Sequence, residues 1–175
     1  SNAFYTRTEA QYFLMRILAY EEKDMGAAMQ ISKYLRDIFP QNAFFHRYYA
    51  RLLYTTGQIR KTEFESLLIL ERIDSGRTGY EEVSGRYAAF YLGQIYEQRR
   101  DFEKSEHYYK RTIEFAEAIG ATESGYYLYS LIGLSEIATA EGDKKMAKEY
   151  LKRIKKESKR KHPANKRARK QLKDL

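Results

Sequence analysis

Four short turn signals divide the chain: Lys23-Asp24, Gly57-Gln58, Arg100-Asp101 and Gly142-Asp143. Each sits between two stretches whose apolar residues recur at helical spacing. Upstream of the third turn lie Tyr87, Ala88, Phe90, Tyr91, Leu92, Ile95 and Tyr96; downstream lie Phe102, Tyr108, Tyr109, Ile113, Phe115 and Ala116. Two helices joined by so short a turn double back on one another, so the spacing predicts four antiparallel helical hairpins. No proline interrupts these runs, and Gly57 and Gly142 fall between helices, where a chain reversal needs them.

The hairpins share a finer register. Counted from Arg86, the third unit has Leu92-Gly93 at the seventh and eighth places, Tyr96 at the eleventh, Ser105 at the twentieth, Tyr109 at the twenty-fourth and Thr112 at the twenty-seventh. Counted from Glu9, the first has Tyr12, Ala19, Ala28, Leu35 and a closing Pro40, with Arg16 and Ser32 in place of a small and an aromatic residue. The second, from Ala43, has Ala50, Gly57 and Thr62; the fourth, from Leu128, has Leu134, Ser135, Ala138, Ala147, Leu151 and Ile154. This pattern resembles the tetratricopeptide repeat family. The resemblance implies an all-α superhelix of about four hairpins, with units near 9–42, 43–76, 78–120 and 122–160 inside a repeat domain spanning 4–161. The later units are spaced by 43 and 42 residues instead of 34, which lengthens their helices. Thr78-Gly79-Tyr80-Glu81 reads as a capping box opening a helix to about Gln98, after a stop at Ser75-Gly76. Gly120 is expected to end a helix and Thr122 to begin the next.

Catalytic chemistry is not announced. The chain has no cysteine, and His46, His107 and His162 are scattered without metal-ligand spacing. Glu103 and His107 share a helix face, as surface pairs commonly do. Gly76 and Gly79 lie in a loop that lacks the strand and the Gly-Lys-Ser/Thr of a phosphate cradle. The expectation is a protein without catalytic residues, metal or cofactor. No apolar run approaches the ~18 residues of a membrane span. Ser1-Asn2-Ala3 reads as an expression scar, and no polar cap precedes Phe4-Tyr5, so the natural chain is expected to continue upstream. Localisation, cytoplasmic or periplasmic, stays open.

The resemblance also implies where a partner sits, because the first helix of each unit lines the concave face of such a solenoid. Its groove places hold Phe13, Ile17 and Tyr20, then Arg47, Arg51 and Tyr54, then Tyr87, Phe90 and Gln94, then Tyr129. Aromatic rings with arginine suit a desolvated recognition surface, and Arg47 and Arg51 stand one helical turn apart, spaced to clamp an acidic group. The Lys/Asn/Lys/Arg clamp of family adaptors that capture chaperone C-termini is missing from these places. The first expectation is therefore a scaffold or adaptor for a peptide or protein. The competing use of these aromatics is to fill gaps between lengthened helices, and self-association through them is a further expectation.

Charge marks a second surface. The net charge is +8, yet residues 1–143 carry −4 and residues 144–175 carry +12. Pro163 suits a first helical position, and Ala164, Ala168 and Leu172 make a narrow apolar stripe, so 162–175 reads as a basic capping helix. The alternative function runs through this segment. Lys152, Lys155, Lys156, Lys159, Arg160, Lys166, Arg167, Arg169 and Lys170, with Lys144, Lys145, Lys148 and Lys161, would bind nucleic acid or an acidic surface.

Overall fold

The structure is a computed structural model that describes the backbone from residue 2 to residue 175 and side chains from Thr6 onward. The readings of Ser1-Asn2-Ala3 and Phe4-Tyr5 fall outside the described side chains. Nine helices among the described residues make the chain 79% helical, and no strand occurs among them. They are α1 (Asn2–Tyr20), α2 (Met25–Ile38), α3 (Ala43–Thr55), α4 (Ile59–Asp74), α5 (Glu82–Gln98), α6 (Phe102–Ala118), α7 (Gly125–Ala140), α8 (Lys144–Glu157) and α9 (Pro163–Asp174). The protein is all-α; α1 to α4 pack in sequence order, as do α6 to α9, an arrangement consistent with an α–α solenoid. It divides into two compact units, Ser1–Ser84 and Gly85–Leu175.

The four turn signals fold by one device. Lys23, Gly57, Arg100 and Gly142 all adopt left-handed backbone, with φ of 57°, 71°, 59° and 83°. The residue after each becomes the N-cap of the returning helix. Asp24, Asp101 and Asp143 accept from the amides of Ala27, Lys104 and Met146 at 3.0, 3.2 and 2.9 Å, satisfying donors that a helix start leaves open. Gln58 makes no such side-chain bond.

In the first unit, Met15, Ala19, Ala28, Leu35, Phe45 and Leu52 form a buried cluster. Ala28 is fully buried, and its small side chain lets α2 lie close to α1. The Tyr12 ring meets Phe44, Phe45 and Tyr48 with centroids 5.2, 6.4 and 5.7 Å away, so α1 also touches α3.

In the second unit, Tyr109, Ile113, Tyr127, Leu128, Leu131, Leu134, Leu151 and Ile154 belong to one core. Ser105 donates to the Gly93 carbonyl at 2.9 Å across the α5–α6 hairpin. Helix α9 packs on α7 and α8, with Ala164 and Ala168 fully buried and Leu172 half-buried against the same core. Pro163 opens α9, and the Ala164 amide donates to Nδ1 of the capping His162 at 3.1 Å.

Two helix starts differ from the sequence expectation. Helix α5 begins at Glu82, because Gly79 takes φ 83° and turns the chain before a capping box can form at Thr78. Helix α7 begins at Gly125, since the cap is Ser124, whose Oγ accepts from the Tyr127 amide at 3.4 Å. The stops at Ser75-Gly76 and Gly120 are found where expected, with φ of 68° and 65° at the two glycines.

Candidate binding surfaces

Helices α1 and α3 carry the first six groove residues, all in the first unit. Phe13, Ile17 and Tyr20 are exposed, Phe13 by 56%, although large apolar side chains usually bury. Arg47, Arg51 and Tyr54 are half-buried. The Arg51 guanidinium lies 5.4 Å from the Tyr20 ring centre, joining α3 to α1, and that of Arg47 lies 5.1 Å from the ring of Phe44. Cations over ring faces gain from the ring quadrupole and keep positive charge beside an apolar surface. At the end of this face, a cavity of about 410 Å³ is lined by Tyr12, Phe39, Phe44 and Phe45 with Thr8, Glu9 and Asn42.

Exposed apolar groups are not confined to this face. Leu14, Tyr34, Ile38 and Leu67 are also exposed, and Phe64 on α4, at 63%, exceeds even Phe13. Phe64 lies on a returning helix, outside the groove places. Its sequence signal is an aromatic directly between the polar pair Glu63 and Glu65.

The other four groove residues lie in the second unit and are engaged there. Tyr87 and Tyr126 have ring centroids 4.4 Å apart, with the Arg86 guanidinium 5.2 and 5.6 Å from the two rings. Phe90 meets Tyr126 edge-on at 5.2 Å, and both Phe90 and Tyr129 pack against the core. Gln94 donates to the Tyr109 hydroxyl, which in turn donates to Glu97 Oε2 at 2.5 Å. These side chains hold α5, α6 and α7 together, the gap-filling use of aromatics.

A buried polar network ties the first unit internally. His46, 1% exposed, donates from Nε2 to Glu65 Oε2 at 2.6 Å, and its Nδ1 is hydrogen-bonded with the Tyr80 hydroxyl at 3.0 Å. Arg36 Nη2 donates to both Glu65 oxygens at 3.0 and 2.8 Å. Arg72 donates to Tyr80 and, at 2.7 Å, to the Pro40 carbonyl. The Glu65 carboxylate can only accept, which places a proton on Nε2, and the Tyr80 hydroxyl beside Nδ1 also has the Pro40 carbonyl within reach at 3.3 Å. Burial pushes the His46 pKa down against the pull of Glu65, with Arg36 and Arg72 adding to the depression. Burial alone would raise Glu65, but its hydrogen bonds from His46 and Arg36 outweigh that and hold it low. The network fastens α2, α3, α4 and the turn at Tyr80 with every partner supplied, which makes it an internal clasp. Glu65 was legible as an oddity: it stands on the stripe of Thr62, Ser66 and Ile69, where an acid is out of place unless paired.

The basic segment separates into faces. Lys155, Arg160, Lys161, Lys166, Arg169 and Lys173 line, with Leu172, a cavity of about 760 Å³ at the corner between α8 and α9. Lys173 lies outside the basic residues read from the sequence, and it belongs with them because it stands one helical turn beyond Arg169. Lys159 lines a neighbouring cavity with His162. Arg167 turns elsewhere, donating to Glu136 Oε1 at 2.6 Å. Lys152, Lys156 and Lys170 are exposed outside the cavity lining.

Among the described residues no group of three His, Asp or Glu side chains converges as a metal ion would need, and no helix is long and apolar enough to cross a membrane. Compared with known proteins, the chain matches no family model and no curated sequence.

Proposed function

We propose that this is a tetratricopeptide-like hairpin-repeat protein that acts by holding a partner, and that the α1–α3 face of the first unit receives a peptide or protein segment bearing apolar side chains beside acidic ones. The observation that carries the reading is the exposed row Phe13, Ile17 and Tyr20, bordered by Arg47 and Arg51 with their guanidinium groups over aromatic rings. Contiguous apolar exposure costs free energy in water, and a partner that covers it recovers that cost. The cations select an acidic neighbour and repel a basic one.

The test is capture of partners from cell extract by the intact protein and by Phe13→Ser/Arg47→Glu/Arg51→Glu, each at low and high salt. The intact protein is expected to retain its partners at high salt, since apolar burial is not screened, and the triple variant to lose them while keeping its helical content. Equal capture by both proteins would remove this face from consideration.

A further inference from the structure

We propose that the corner between α8 and α9 is a binding site for a compact polyphosphate, a ligand with several phosphates in close succession. Six cations drawn from three segments face one hollow: Lys155 from α8, Arg160 and Lys161 from the turn, and Lys166, Arg169 and Lys173 from α9. No carboxylate is among the described residues lining it. Six like charges around one concavity repel one another, and only a ligand of high negative charge density relieves that repulsion.

The corner is also held in shape. Asn165 is 1% exposed, and its amide donates to the Ser158 carbonyl at 2.9 Å, to the Ser158 hydroxyl at 3.1 Å and to the Lys155 carbonyl at 3.4 Å. Its Oδ1 accepts from Arg169 Nε at 2.8 Å, aligning the guanidinium before any ligand arrives. A buried amide thus fixes both the end of α8 and one of the cations, which lowers the ordering cost of binding.

Size and composition select the ligand. The hollow of about 760 Å³ falls in the range of ~300–1,000 Å³ typical of small-molecule sites. No aromatic ring lines it, so nothing is placed to stack on a nucleobase, and the recognised part is the phosphate chain itself. The same phosphates could be presented by a free oligophosphate or by a nucleic-acid backbone, and the two arms of the experiment distinguish these sources.

The experiment uses inorganic tripolyphosphate as probe, titrated calorimetrically into the full chain, with a short DNA duplex as a second arm. Two variants carry the same charge change: Lys166→Glu/Lys173→Glu inside the hollow, and Lys152→Glu/Lys156→Glu outside it. All four positions are exposed, so both variants are expected to melt with the intact protein. Expected are saturable one-to-one binding of tripolyphosphate, a loss of about tenfold or more in the first variant and a change of under about threefold in the second, given the screening of charges beyond a Debye length. Absence of tripolyphosphate binding overturns the proposal. So does an equal loss in both variants, which would mean a diffuse basic surface. Duplex binding that tripolyphosphate cannot displace overturns it in favour of nucleic acid.

Discussion

The Tyr109 ring lies so close to Gly133 that a Cβ there would stand 2.3 Å from the ring's Cε2. On the ring's other edge a Cβ at Gly93 would stand 2.6 Å from Cδ1 and Cε1. Tyr109 is fully buried, and its hydroxyl is held by Gln94 and Glu97, so the ring cannot retreat from one glycine without pressing on the other. Gly133→Ala gains helix propensity of up to ~1 kcal/mol, but overpacking costs about 1–3 kcal/mol, and contacts under van der Waals distance on a trapped ring favour the larger figure. The expected net loss is about 1–2 kcal/mol. Thermal melts of Gly133→Ala alone and in a Tyr109→Leu background check this: the penalty shrinks once the ring is gone. An alanine that costs nothing in the presence of Tyr109 would show that α7 is not pressed against it.

Arg100 and Lys23 hold a left-handed backbone that Gly57 and Gly142 reach without steric penalty. A residue with a Cβ pays roughly 1–2 kcal/mol there, while glycine pays about 0.5–1 kcal/mol through the greater freedom it loses on folding. Arg100→Gly is therefore expected to stabilise the protein by about 0.5–1 kcal/mol, and Gly142→Arg to destabilise it by a similar amount, both read from melting temperatures. Opposite signs for the two substitutions are the signature; two losses would contradict it.

The same turns show what the sequence makes legible. A left-handed residue followed by an aspartate cap is a local device, so Lys23-Asp24, Arg100-Asp101 and Gly142-Asp143 mark real hairpin turns without reference to the rest of the chain. The α9 stripe is local too, because Ala164, Ala168 and Leu172 face one way on any helix. What depends on tertiary context was harder to read. The starts of α5 and α7 are displaced because Thr78 heads a capping-box pattern and Thr122 offers a cap side chain, which Gly79 and Ser124 override. Tyr87, Phe90 and Gln94 occupy groove places by count, yet Tyr126 and Tyr109, distant in sequence, engage them. Among the basic residues, charge density was plain from composition, whereas the convergence of Lys155 with Lys173 requires knowing how α9 folds back on α8.

The clasp at His46 makes stability depend on pH. His46 is neutral in the folded protein, with its pKa held below the ordinary 6.5, so below that pH the unfolded chain binds a proton that the folded chain does not. Stability is thus full above pH ~6.5 and falls as the pH drops through that value toward the folded pKa, by at most ~1.4 kcal/mol per pH unit for this group. Glu65, also depressed, adds a second loss that sets in near its ordinary 4.5. His46→Gln, which keeps an amide donor for Glu65, is expected to flatten the profile between pH ~6.5 and ~5 while leaving the decline below it. Chemical denaturation of both proteins across this range gives the comparison. A wild-type profile that is level down to pH ~5 would mean that His46 is charged in place.

The face that α9 turns to the second unit sets its tolerance to substitution. Ala168 is fully buried in the core that holds Leu151, Ile154 and Leu131, whereas Lys170, two residues on, is exposed. Ala168→Glu must either bury a carboxylate without an assigned partner or lift α9 away from α7 and α8, uncovering the apolar side chains beneath. Burying a polar group unpaired and overpacking a filled site each cost a few kcal/mol, and the helix escapes the larger sum by detaching. The expected loss is roughly 2–4 kcal/mol, a fall in melting temperature of about 2–4 °C for each kcal/mol at this chain length. Lys170→Glu changes the charge just as a surface site would, within about 0.5 kcal/mol. Removal of residues 162–175 is expected to match Ala168→Glu and to raise binding of a hydrophobic dye, because the same core is then bare. Were the truncated chain to melt with the intact one, α9 would contribute no cover to that core, and its buried alanines would need another explanation.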